Sequence, residues 1–213
     1  RRYVHIGTGN YNSKTARLYT DLALLTCKPD IGADLSDVFN LLTGHSRQRE
    51  YRKVLVAPAN MKMRFLALIR REAEHASAGR PSRIIAKLNS LVSPDIIAEL
   101  YAASQAGVEI DLILRGICCL RPQLPGTSDR IRVRSIIGRF LEHSRLFYFS
   151  NGGSEEFYLG SADWMPRNLE RRVEVIVPVE ERALQLRLFS LLETCLADNR
   201  QAWVLESDGA WRK

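Results

Sequence analysis

The chain has 213 residues, enough for one large domain or two small ones and for a sizeable buried core. With 31 Lys+Arg against 24 Asp+Glu the net charge is +7, and arginine dominates the cations, which points to an anionic partner: phosphate, nucleotide, nucleic acid or polyphosphate. Cys27, Cys118, Cys119 and Cys195 lack zinc-site or disulfide spacing and suit a reducing cytoplasm, and no apolar run approaches the ~18–20 residues of a membrane span, so a metal ribbon, a disulfide scaffold and a helical membrane protein are excluded.

In chain order, the opening "RRYVHIGTGNYN" predicts a strand over 3–6 that runs at once into a glycine-rich turn. A strand over 22–26 and a helix over 34–43 follow, and then the polar, basic segment 44–52. Beyond it come a strand over 53–58, a helix over 60–77 with Asn60 as its cap, and a strand over 83–90. The helix over 94–106 has Ser93 and Pro94 as start signals and Gly107 as a stop. Strands over 108–116, 130–137, 145–150, 155–161 and 172–179, a helix over 180–197 and a strand over 202–207 complete the pattern. This alternation predicts an α/β fold, a mixed sheet flanked by helices. A boundary is expected near residue 50: residues 51–213 hold a full set of elements, whereas 1–50 are too few to close a core and read as the tail of a domain begun upstream. The chain is therefore expected to be a fragment.

Residues 6–25 and 159–178 can be superposed without a gap. Gly7 meets Gly160, Thr8 meets Ser161, Asn10 meets Asp163, Tyr11 meets Trp164, Lys14 meets Arg167, and Asp21 meets Glu174 just before an apolar strand in both copies. Two related α/β units about a pseudo-twofold follow. In this turn the glycines Gly7 and Gly9 allow close backbone approach to a ligand, Thr8 or Ser161 offers a hydroxyl, and Asn10 or Asp163 is suited to orienting an imidazole.

In the second copy His143 lies one hairpin before Gly160, with Arg145 two residues on and an Asn-Gly-Gly turn between. Strand alternation puts both on one face, where the guanidinium can fork onto phosphate oxygens while the imidazole attacks, is phosphorylated or moves a proton. By the repeat, a matching histidine for the first copy falls upstream of Arg1; His5 aligns with Tyr158 and does not fill the role.

A paired H-x-K with a later G-[ST]-x-N is similar to the phospholipase D superfamily. "YVHIGTGNYNSKTARLYTD", "KLNSLVSPDIIAELYAASQAGVEIDLILRGICCLRP", "RFLEHSRLFYF" and "YLGSADWMPRNLERRVEV" resemble, over essentially the whole chain, the C-terminal part of the bacterial polyphosphate kinases of the first family. The resemblance implies a phospholipase-D-like fold and reversible transfer of the terminal phosphate of ATP to polyphosphate through a phosphohistidine upstream of this chain. It also implies ATP/ADP as cofactor, Mg²⁺ held by residues outside the chain, a homo-oligomeric full-length enzyme, and a cytoplasmic location with membrane association left open. Matching the family's ATP-associated positions are Tyr19, Arg115 and His143.

Each position has its own logic. Tyr19 can stack on or bond a nucleotide or join the core. Arg115 ends an apolar strand, where ligands of open α/β sheets bind, and needs an anion or a salt bridge. His143 opposes the absent histidine as acid, base or hydrogen-bond donor. Arg132 with Arg134, or Arg171 with Arg172, line a polyphosphate tunnel or face solvent, and His45 and His75 are expected at the surface. "RNLERR" lacks interleaved aromatics, so no nucleic-acid partner is expected. Two alternatives are a phospholipase-D-like phosphodiesterase or nuclease, from which Arg145 departs by replacing the usual lysine, and a non-catalytic anion-binding module.

Overall fold

The computed structural model describes residues 1–45 and 49–213. Residues 46–48, inside the expected 44–52 linker, lie outside the described residues. A nine-stranded mixed sheet forms the body. In spatial order it runs β13 (Trp211–Arg212), β12 (Ala202–Leu205), β7 (Ile131–Ile136), β6 (Glu109–Leu114), β5 (Arg83–Leu88), β9 (Leu146–Phe149), β10 (Glu156–Gly160), β11 (Glu174–Val179) and β4 (Leu55–Ala57). β5, β6 and β7 are parallel and the remaining pairs antiparallel.

Strand alternation sends side chains to two cores. Ile84, Ala86, Leu88, Phe147 and Trp164 pack beneath α2 (Met61–Ser77) and α3 (Pro94–Gln105). Ile85, Ile113, Leu146, Phe157 and Val177 face α1 (Pro29–Leu42) and α4 (Arg182–Ala197). With both faces covered, the central strands read as nearly unbroken apolar runs.

The first fifty residues contribute a separate two-stranded sheet, β1 (Val4–Gly7) with β3 (Ala23–Thr26). Among the links that fasten these residues to the body are a strand pairing and a buried carboxylate. β2 (Tyr19–Thr20) pairs in parallel with β8 (Leu141–Glu142). Asp34 of α1, fully buried, accepts the backbone N–H groups of Arg52, Lys53 and Val54 at 2.7–3.1 Å and the Arg52 guanidinium at 3.0 Å. Burial alone would raise the Asp34 pKa, but these donors outweigh it and hold the carboxyl below its ordinary value.

Several expectations need correction. α1 starts at Pro29 rather than 34, because Pro29 at the first helical turn and Asp30 beside it are themselves start signals. Asn60 sits at the cap of α2, but its side chain turns back to accept the Val56 N–H at 2.8 Å. His75 is half-buried rather than fully exposed: its Nε2 lies 3.2 Å from Asn151 Oδ1, its Nδ1 is buried, and the ring packs under Gly152 of the hairpin turn. His45 is exposed.

The repeat has a physical counterpart in register. β1 pairs with β3 as Gly7↔Ala23 and Ile6↔Leu24, and β10 pairs with β11 as Gly160↔Ile176 and Leu159↔Val177, at the same offset throughout. The copies diverge after the turn, where Tyr11 is exposed and its counterpart Trp164 is fully buried against Phe65 and Phe147.

Candidate functional site

Several chain segments deliver polar side chains to one edge of the large sheet. Asn89 follows β5 and Arg115 follows β6, at the carboxyl ends of parallel strands. Arg145 precedes β9, Asp163 follows β10 and Glu174 opens β11. From the first fifty residues, β2 and the turn after β1 bring Tyr19, Asp21 and Thr8.

His143 and Arg145 fall between β8 and β9 rather than within a strand, and yet their side chains meet. His143 is 9% exposed and its Nδ1 lies 2.8 Å from Asp21 Oδ1, which also accepts the Thr8 hydroxyl at 2.7 Å. Arg145 Nη1 lies 3.0–3.1 Å from both ring nitrogens and donates to the carbonyls of His143 and Thr8 at 2.8 and 3.1 Å. The rest of that guanidinium forks onto Asp163, Nε to Oδ1 and Nη2 to Oδ2, each at 3.2 Å. Asn89 fixes Asp163 from the other side through its backbone N–H at 2.7 Å and its amide at 3.2 Å. The Tyr19 ring sits 4.6 Å from that of His143.

Burial lowers the His143 pKa, Asp21 opposes that, and Arg145 and Arg115 reinforce it, with a net result below the ordinary value. The imidazole is neutral at neutral pH. A carboxylate only accepts, so Nδ1 carries the proton toward Asp21 and Nε2 keeps its lone pair.

Arg115 is the contrasting case. It is half-buried, its Nε is buried without a hydrogen-bond partner, and no ion pair engages it among the described residues. Burial and the nearby Arg145 charge lower its pKa against the weaker pull of Asp163, Tyr19 and Asp21. It borders a cavity of about 450 Å³ also lined by Leu18, Tyr19, Ile137 and Phe140.

The repeat explains the acids. Thr8 donates to Asp21, and Ser161 donates to Glu174. The backbone N–H groups of Leu22 and Val175 return to those hydroxyls at 3.0 and 3.3 Å. Glu174, buried, also accepts the Asn168 amide at 2.6 Å. Asp21 has an imidazole and Glu174 has none: His5 bonds Tyr11, His45 bonds Thr43 and His75 bonds Asn151.

The structure thus gathers Tyr19, Arg115 and His143 in one place. The residue that orients the imidazole is Asp21, not Asp163 or Asn10; Asp163 holds Arg145, and Asn10 is exposed. The aligned acids of the repeat were the signal for it. Close packing requires glycine at Gly9 and at Gly160, whereas a Cβ on Gly7 would make only ordinary contacts. A Cβ on Gly9 would sit 2.1 Å from Asp21 Oδ2, and one on Gly160 would sit 2.0 Å from the Val175 carbonyl oxygen. Arg132 and Arg134 both have protein partners. Arg132 bonds Asp111 at 2.8 Å and Glu109 at 2.9 Å, and Arg134 caps the last carbonyls of α4 through Leu196. Arg171 and Arg172 are exposed, Arg172 4.0 Å from Glu174.

The family profile described as polyphosphate kinase C-terminal domain 2 matches residues 54–213, and C-terminal domain 1 matches residues 1–48. The chain belongs to the polyphosphate kinase family. A polyphosphate kinase of Thermosynechococcus vestitus is 65% identical over 213 residues, covering 100% of this chain and 29% of that protein. The crystal structure of polyphosphate kinase from Porphyromonas gingivalis aligns with a TM-score of 0.94 and 41% identity over 99% of this chain and 32% of that one. The chain therefore spans about a third of the length of these polyphosphate kinases. A phospholipase D family member, Nuc from Salmonella typhimurium, aligns with a TM-score of 0.51 at 17% identity, over 73% of this chain and 97% of that one. It shares the fold, which is the phospholipase-D-like mixed sheet expected from the sequence.

Proposed function

We propose that the chain supplies one half of a phosphotransferase site that moves the terminal phosphate of ATP to polyphosphate and back through a phosphohistidine. In this reading residues 1–50 complete a first phospholipase-D-like domain and 51–213 form the second. The observation that carries it is Arg115, a half-buried guanidinium that forms no ion pair among the described residues, beside a neutral, Asp21-held imidazole. An uncompensated cation at a strand's carboxyl end is placed for an anionic ligand.

ATP and ADP fit the cavity between Tyr19 and Phe140, the base against the apolar wall and the phosphates toward Arg115. By the repeat, Glu174 holds a second imidazole from chain that precedes Arg1, as Asp21 holds His143. In the forward step that imidazole attacks the terminal phosphorus; a P–N bond forms, the P–O bond to ADP breaks, and ADP departs with the electron pair. In the next step a terminal oxygen of polyphosphate attacks the same phosphorus and the P–N bond breaks. His143, neutral, takes up the proton of the incoming terminal phosphate at Nε2. Arg115 stabilises charge on the oxygens in flight.

The resemblance implies Mg²⁺, but the residues here do not fit a metal site. Asp21, Asp163 and Glu174 are each committed to protein donors, and no cluster of three ligating side chains occurs among the described residues. In this reading the metal's ligands lie outside this chain. No described helix is long and apolar enough to cross a membrane. A cytoplasmic location and a homo-oligomeric full-length enzyme belong to the same reading.

The full-length protein is expected to extend polyphosphate from ATP, and the isolated 213-residue chain to give no product in the same assay. Turnover by the isolated chain would refute the need for a second imidazole.

A further inference from the structure

Lys87 lies at the centre of the sheet, in β5, and is 2% exposed. Its strand neighbours are Ile113 of β6 and Leu146 of β9, and the side chain points to the face that holds Ile85. An ammonium in such a place persists only when it is paired and hydrogen-bonded. The partners are Glu142 Oε2 at 3.1 Å and Ser144 at 2.9 Å to Oγ and 3.4 Å to the carbonyl oxygen. These two residues flank His143 on either side.

That arrangement has a further consequence. Glu142 closes β8, which pairs through Thr20↔Glu142 with β2, and β2 leads directly into Asp21. The His143 N–H donates to the Thr20 carbonyl at 3.2 Å. One cation of the central strand thus grips the short segment that carries the imidazole, its backbone, and the joint between the first fifty residues and the sheet. Arg145 adds a bond to the His143 carbonyl.

We propose that Lys87 is a positioning residue that holds the 142–144 segment so that His143 keeps its bond to Asp21 and presents Nε2 to the transferring phosphate. The proposal rests on the assignment of His143 above. Lys87 touches neither nucleotide nor polyphosphate; it acts through the main chain on either side of the imidazole.

In the full-length protein, Lys87→Met is expected to lower kcat by about 10–100-fold, the range for loss of a supporting partner, with the KM for ATP changed less than about threefold. Ser144→Ala, which removes one acceptor and leaves the ion pair with Glu142, is expected to lose less, and the double variant no more than Lys87→Met alone. Modification of His143 by diethyl pyrocarbonate, followed by peptide mass, reads the same loosening without any assay of phosphate transfer, and is expected to be several-fold faster in Lys87→Met. Should Lys87→Met fail to fold, Ser144→Ala carries the test through its kcat and modification rate. Unchanged kcat and unchanged His143 modification in folded variants would overturn the proposal. Faster His143 modification in a protein without phosphotransferase activity would sustain the positioning role and refute the enzymatic reading instead.

Discussion

His143→Ala in the full-length protein is expected to reduce ATP-dependent polyphosphate synthesis by about 10²–10⁴-fold, the range for loss of a positioned acid–base group, with the thermal unfolding transition retained. The geometry dictates the pH behaviour as well. Burial, Arg145 and Arg115 together overcome the pull of Asp21 and keep the imidazole pKa below 6.5. A group with a lowered pKa is neutral above it, so activity that needs the neutral ring is complete at neutral pH and falls only as pH drops through a value under 6.5. The wild-type rate profile is therefore expected to show an acid limb below 6.5, and the residual rate of His143→Ala to lack it. A limb above 6.5, or near-normal rates in the variant, would remove His143 from the chemistry.

Arg115→Ala is expected to cost about 10²–10³-fold in kcat, comparable to loss of one preorganised charge-stabilising donor, and Arg115→Lys to restore little, since an ammonium cannot reproduce a fork onto phosphate oxygens. Stability separates this role from a structural one. Arg115 forms no ion pair with a carboxylate among the described residues, and removing a half-buried cation leaves no orphaned partner there, so the urea midpoint should stay or rise slightly. Arg132 would behave in the opposite manner, because Asp111, 4% exposed, depends on it and on Arg83. A marked fall in stability with unchanged kcat for Arg115→Ala would identify it as a scaffold residue.

Much of the fold was legible because burial on both sheet faces writes itself as apolar runs; β5, β6 and β9 each read as strands for that reason. The repeat was legible because equal register demands equal spacing between Gly7 and Asp21 and between Gly160 and Glu174. β2 and β8 were not. Each is two residues long and is stabilised by a partner more than a hundred residues away, so neither has a local pattern. The orienting carboxylate was misassigned for a related reason. Asp163 and Asp21 both lie near the imidazole, and only the folded chain shows that Arg145 claims the first and His143 the second. Lys87 interrupts the apolar run "RIIAKLNS", but nothing local names Glu142 and Ser144 as its partners.

In the proposed site two carboxylate-held imidazoles share one transferring phosphate, with this chain providing Asp21–His143 and the Glu174 carboxylate for the other. The direct measurement is the position of the covalent phosphate in full-length protein labelled with γ-phosphate-labelled ATP and digested under alkaline conditions. The expected result is an acid-labile phosphate on a histidine that precedes Arg1, and none on His143; phosphate on His143, or an active enzyme that never carries a covalent phosphate, would contradict the proposed mechanism.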